Sequence, residues 1–207
     1  GKTIQSDVLK FGNEIVAPAT VPTKDADAQY TYTFKEWAGY TEGATVSGDV
    51  TFTAVFDKVV NEYTVTFISE GTVVSEEKIA YGTTIVAPAN PTKVADAQYT
   101  YTFKEWEGYT AGMTVAGDVT FKAVYEKSLN SYTITFKNWD GSVLEEKELP
   151  YGTTASYTGA TPEKPADAEF TYTFSGWSPA LGTVSGPADY TAQFTTTVNQ
   201  YTYTFYD

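Results

Sequence analysis

The feature that most limits what this chain can fold into is a stretch that occurs three times. Tyr99-Thr100-Tyr101-Thr102-Phe103-Lys104-Glu105-Trp106 stands earlier as Tyr30 to Trp37, and returns as Phe170-Thr171-Tyr172-Thr173-Phe174-Ser175-Gly176-Trp177. Trp37 and Trp106 are 69 residues apart, and Trp106 and Trp177 are 71 apart. A period of that size means tandem units, each a module that leans on its neighbours. Within the stretch, Tyr99, Tyr101 and Phe103 alternate with Thr100, Thr102 and Lys104, the period of a strand with one buried face. The expected repeats are residues 1–58, 59–127 and 128–198. Residues 199–207 are expected either to open a fourth unit or to close the third.

Units this small bury only about 60% of their unfolded surface and are marginal alone. The chain's 17 Tyr, 12 Phe and 4 Trp supply large apolar areas in compensation. Composition also removes whole classes of chemistry. With no Cys there are no disulfides, no thiolates and few options for structural zinc. With no His the commonest general base is missing. The net charge of −13 divides as −3, −4 and −6 over residues 1–58, 59–127 and 128–207, and Arg is absent. Such a chain repels phosphate, so neither nucleic acid nor an anionic membrane is an expected partner. No apolar run reaches the ~18 residues of a spanning helix. Gly1 does not open a signal peptide, so any anchoring segment is expected outside these residues.

In the second unit, Tyr63-Thr64-Val65-Thr66-Phe67 precedes Ser69-Glu70-Gly71. In the third, Tyr132-Thr133-Ile134-Thr135-Phe136 precedes Trp139-Asp140-Gly141-Ser142. Turn residues between alternating runs predict hairpins. The returning strand, Val73 to Tyr81, is expected to turn Val73, Ile79 and Tyr81 to one face. A Pro-broken crossing follows, Ala87 to Lys93, in which Asp96-Ala97-Gln98 just beyond has room for one helical turn and no more. Trp106 lies on the opposite parity from Phe103, which requires a bulge or the end of the strand. After Gly108, Gly112 and Gly117 comes Val119 to Tyr125, with Val119, Phe121, Ala123 and Tyr125 inward. One unit therefore reads hairpin, crossover, strand, loop, strand.

The run from Tyr63 to Lys127 resembles the Listeria–Bacteroides repeat, the B-repeat type of internalins and other Gram-positive surface proteins. The features that carry the match are the Tyr-Thr-x-Thr-Phe strand, the turn Gly, the Tyr-Gly before the Pro-rich crossing, the Phe-x-x-Trp pair and the closing Val-Thr-Phe-x-Ala-Val-Tyr strand. The resemblance implies a mainly β, β-grasp-like module with little or no helix, three in tandem, and it brings no catalytic residues. Two departures stand out: Pro179-Ala180 replaces Gly108-Tyr109, and the third closing strand reads as shortened to Tyr190–Phe194.

Residues 1–12 align with 71–82, so in the family frame the first unit has no first strand, while Tyr201-Thr202-Tyr203-Thr204-Phe205 repeats that strand at the other end. Three arrangements fit. The first unit tolerates the loss, or the frame is shifted so that Tyr63–Phe67 completes the preceding unit and Tyr201–Phe205 the last. In the third, Tyr201, Tyr203 and Phe205 fill the gap in another copy by strand donation, which would propagate head to tail.

Site candidates are few. Glu76-Glu77, Glu145-Glu146, Asp25/Asp27 and Asp167/Glu169 fall on solvent faces or turns, without the facing geometry of a hydrolase. Asp140-Gly141-Ser142 has too few oxygens following it for calcium. The Gly-containing loops have no Lys-Ser/Thr partner or following helix for phosphate. An intramolecular isopeptide bond needs a buried Lys beside an Asn or Asp and an acid, and the Lys residues here alternate with inward aromatics. Catalytic residues, metal ligands and cofactors are therefore expected to be none. Phe34, Phe103, Phe174, Trp37, Trp106 and Trp177 are the expected repeat core. Trp139 occurs once and shares parity with Thr133, Thr135 and Lys137. It is the best lone candidate for partner or glycan contact, against the alternative of covering a neighbouring unit. Tyr40 and Tyr109 are weaker candidates of the same kind. The expected role is a non-enzymatic extracellular stalk of a bacterial surface protein, with a glycan- or host-protein-binding adhesive module and a strand-donating fibre subunit as alternatives.

Overall fold

A computed structural model describes residues 2–207. The ten strands are β1 Tyr30–Ala38, β2 Thr53–Val60, β3 Glu62–Ser69, β4 Thr72–Ala80, β5 Tyr99–Glu107, β6 Val119–Leu129, β7 Ser131–Lys137, β8 Val143–Pro150, β9 Phe170–Ser178 and β10 Ala188–Val198. No helix occurs among the described residues. The strands form a two-stranded sheet, β1-β2, and two four-stranded sheets ordered β4-β3-β6-β5 and β8-β7-β10-β9. In each larger sheet the two central strands run parallel, with Phe67 opposite Phe121 and Phe136 opposite Tyr190, and the hairpin partner of the first is antiparallel.

The compact units of the chain are Gly1–Pro91 with Glu105–Val124, and Thr92–Lys104 with Tyr125–Asp207. The core of the first comprises Val65, Phe67, Ile85, Trp106, Val115 and Phe121, all at most 5% exposed. Phe67 is its hub, with the ring centroids of Phe121, Trp106 and Tyr109 at 4.9, 5.0 and 5.9 Å. The second unit repeats the plan with Ile134, Phe136, Ala155, Val184 and Tyr190. There Trp177 lies 4.9 Å from Phe136, and Tyr157 lies 5.4 Å from it. Tyr157 also lies 4.9 Å from Trp177. Every buried Ala, Val, Ile, Phe, Trp and Tyr of the described residues lies at Val65 or beyond. In residues 2–60, where no strand stands beside β2 in the place of β3, Ile15, Val46 and Phe52 are only half-buried.

The parity conflict between Phe and Trp is resolved by bulges. The pairing passes from Phe34 to Glu36 and from Phe174 to Gly176, leaving Lys35 and Ser175 unpaired. The extra residue turns Trp37 and Trp177 to the face of Phe34 and Phe174, each pair of rings 5.5 Å apart. A bulge in the β3–β4 hairpin has the opposite effect on Val73. Phe67 pairs with Ser75 and Ile68 with Val73, so Val73 leaves the expected inward face and is 54% exposed. The hairpin turn itself is short, with Glu70 and Gly71 both at positive φ (50° and 80°), as a two-residue primed turn requires.

Other local expectations change as well. Asp96-Ala97-Gln98 is a turn, because the Asp96 carboxylate accepts the Gln98 and Tyr99 amides at 2.8 and 2.7 Å and so replaces helical bonding. The closing strand of the third repeat is not short: β10 has 11 residues, as many as β6. Thr195, Thr196, Thr197 and Val198 continue its ladder with β9. The strand Tyr63–Phe67 belongs to the sheet of the repeat it opens, lying between β4 and β6.

Candidate functional site

Three clusters of polar residues with one pattern stand just before β3, just before β7 and just after β10. Asn61, Asn130 and Asn199 follow one another at intervals of 69. Asn130 Nδ2 donates to the carbonyls of Asp96 and Ala97 at 2.8 and 3.3 Å, and Thr100 Oγ1 donates to Asn130 Oδ1 at 2.8 Å. The Asn130 amide donates to Gln98 O, and the Tyr151 amide donates to Asn130 O. The next aromatic joins in: Tyr132 Oη donates to Ala97 O at 2.7 Å. Asn61 with Thr31 and Tyr63 makes the same bonds to Asp27 and Ala28; at the third position Asn199 Nδ2 donates to Asp167 O, Thr171 Oγ1 to Asn199 Oδ1 and Tyr201 Oη to Ala168 O.

Each clasp closes on a turn built by an Asp. Besides its two backbone amides, Asp96 accepts the Tyr101 hydroxyl at 2.7 Å, as Asp27 accepts Tyr32 and Asp167 accepts Tyr172. These bonds hold the carboxyls below their usual range: the Tyr101 and Tyr172 hydroxyls act most strongly on Asp96 and Asp167, and the Tyr30 amide on Asp27. Reciprocally, the carboxylates push the three Tyr hydroxyls up. Lys24, Lys93 and Lys164 cover the same Tyr rings at 3.6, 4.4 and 3.7 Å. Asp27 and Asp167 do lie on turns, and their partners are Tyr hydroxyls and backbone amides. The signal for the clasp was there in the retention of Asn, with the Asp turn upstream, while the residue after it varies as Glu62, Ser131 and Gln200.

The third repeat adds a feature the second does not have. Its β7–β8 turn, Asn138-Trp139-Asp140-Gly141-Ser142, is one residue longer than Ser69-Glu70-Gly71-Thr72. The Gly141 amide bonds to Asn138 O at 3.0 Å, and Asp140 Oδ1 accepts the Ser142 amide and hydroxyl. Trp139 rides on this turn, 46% exposed. Asn138 Oδ1 accepts the Trp139 amide, while Asn138 Nδ2 donates to Glu163 O in the Pro-rich crossing. Lys164 Nζ stands 5.1 Å from the Trp139 ring centre and 3.7 Å from that of Tyr172. A shallow depression of about 740 Å³ opens on one side, between Asp140 and Glu163, and a second of about 290 Å³ opens over Thr191, Gln193 and Thr196. Trp139, Lys164 and Tyr172 line both.

Of the other candidates, Tyr109 packs on Phe121 at 5.5 Å and donates to Ile85 O, and Tyr40 packs on Phe52 at 5.5 Å and donates to Ile15 O. Tyr201, Tyr203 and Phe205 are 74, 82 and 88% exposed. Not every Lys points outward: Lys147 is 22% exposed, lies over the Phe136 ring and pairs with Glu145 at 2.8 Å. Burial alone would raise Glu145, but Lys147 and the Thr158 hydroxyl and amide outweigh it and hold the carboxyl at about 2. Lys137 and Asp189 meet on adjacent strands at 2.5 Å, and the ammonium lowers the Asp189 carboxyl. No group of three acidic residues among those described is placed to hold a metal ion.

Fold and joints together define a class, the small all-β repeat whose shared polar residues link strand to turn. Residues 63–125 match the family model of the Listeria-Bacteroides repeat domain. No curated protein matches the chain. Among solved structures it is similar to Streptococcal High Identity Repeats in Tandem (SHIRT) domains 3-4 from a cell surface protein. The two share 19% identity over 67% of this chain and 99% of that one, with a TM-score of 0.32.

Proposed function

We propose that this chain is a non-enzymatic extracellular spacer, the repeat region of a Gram-positive surface protein, built of three β-grasp-like units. The observation that carries the reading is the Asn clasp, present at Asn61, Asn130 and Asn199 with the same partners. A flexible linker would leave such residues solvated. Here Asn61 and Asn130 are each tied by side-chain bonds and by two backbone bonds, and Asn199 by side-chain bonds and one backbone bond, which limits bending. The parallel central pair flanked by antiparallel strands supports the β-grasp assignment. Acidic, Thr-rich faces suit a soluble stalk whose neighbours repel one another, and the absence of Cys suits folding outside the cell without an oxidation step. The test is mechanical. Limited proteolysis of the whole chain should spare Leu129–Ser131 and Val60–Glu62, and rapid cutting at those joints would argue for loose beads.

A second reading is head-to-tail strand donation by Tyr201–Phe205. It is favoured by the exposure of Tyr201, Tyr203 and Phe205, which repeat the pattern of β3 and β7. Light scattering across a concentration series decides it, since a constant monomer mass rules it out.

A further inference from the structure

We propose that the cleft around Trp139 in the third repeat binds a neutral oligosaccharide. The hairpin does not need this residue: the second repeat closes the same turn with Glu70-Gly71, one residue shorter. The third repeat instead spends an extra residue to set an indole at the surface, 46% exposed. The ring is held in place beforehand. Its turn is closed by the Gly141 amide, tied to the crossing through Asn138 Nδ2 and Glu163 O, and backed by the Lys164 ammonium. A pre-positioned flat ring loses little freedom on binding.

The surroundings choose the ligand. Asp140, Glu163 and Asp167 against Lys164 leave this patch formally at −2 within a chain of −13, which disfavours anionic ligands. Cations find little free carboxylate: Asp140 is committed to Ser142, and Asp167 to Tyr172 and two amides. An apolar peptide would cover the indole but bury the Glu163 carboxylate and the Thr191 and Thr196 hydroxyls against a surface that cannot bond to them. A sugar ring satisfies both demands, with an apolar C–H face for the indole and a rim of hydroxyls for the carboxylate, hydroxyl, amide and ammonium groups. Depressions on both sides of Trp139 give room for more than one sugar.

The whole chain is screened against an array of neutral gluco-, galacto-, manno- and N-acetylglucosamine oligosaccharides beside sialylated and uronic counterparts. Hits are then titrated by calorimetry and Trp fluorescence. We expect neutral glycans to bind, with Trp139→Ala weakening the hit at least about tenfold, Trp139→Phe retaining part of it, and the unfolding midpoint unchanged for both variants. Silence of all neutral glycans overturns the proposal, as does a hit indifferent to Trp139→Ala. Binding confined to the acidic glycans overturns it too.

Discussion

Replacing Asn130 by Ala removes one clasp and leaves both cores untouched. The lost side chain makes two good hydrogen bonds, to Thr100 and Asp96 O at 2.8 Å, and a longer one to Ala97 O at 3.3 Å. A net intramolecular hydrogen bond contributes about 0.5–1.5 kcal/mol. The site is exposed, so water can take over the freed groups and the lower part of that range applies. The expected loss is about 1–2 kcal/mol in total. In a unit of this size that corresponds to roughly 5–10 °C in Tm, read by calorimetry as a shift of the transition to which the third repeat contributes. A cycle with Thr100→Val isolates the Thr100–Asn130 bond and should show coupling of about 0.5–1 kcal/mol. An unshifted Asn130→Ala transition, or additive single variants, would refute the view that the clasp stabilises the joint.

Phe136→Ala, at a residue with 0% exposure in contact with Trp177 and Tyr190, should cost about 3–5 kcal/mol and abolish cooperative unfolding of the third repeat. Gly71→Ala meets no atom within 4 Å, so its cost is purely that of an L-residue at φ +80°, about 1–2 kcal/mol in urea titration. Acid should unfold the chain progressively. Asp27, Asp96, Asp167 and Glu145 all have folded-state values below the ordinary ones, so their contribution is complete above the unfolded carboxylate range. It is lost as pH falls through the folded values, which for Glu145 lie at about 2. Circular dichroism from pH 6 downward checks this, and Glu145→Gln should flatten the low end of the curve.

Much of the fold was readable because period-2 alternation and turn chemistry are local. Tyr63–Phe67, Tyr99–Phe103 and Val119–Tyr125 are strands where alternation placed them, and Glu70-Gly71 is a hairpin turn. What escaped depended on pairing. The bulge opposite Phe67 exposes Val73, and the extension of β10 rests on β9. Lys147 faces the core side because Glu145, itself held by the Thr158 hydroxyl and amide, is there to receive it. The bridges Thr84–Thr114 and Thr154–Thr183 join loops that nothing in the sequence brings together. The joint was half legible: its Asp and Tyr residues recur visibly, but their connection to an Asn some 34 residues on is made only by the folded chain. Trp139 was singled out by its uniqueness, whereas Lys164 and Tyr172 beside it became visible only in three dimensions.

The most direct test is whether the joint holds its angle in solution. Because the chain has no Cys, Thr102→Cys and Glu146→Cys place spin labels on either side of the Asn130 clasp with no background. Pulsed electron-spin distance measurement should give one narrow distribution that broadens when Asn130→Ala is added. A distribution already broad with Asn130 present would mean that the repeats swing freely, and the spacer reading would fail.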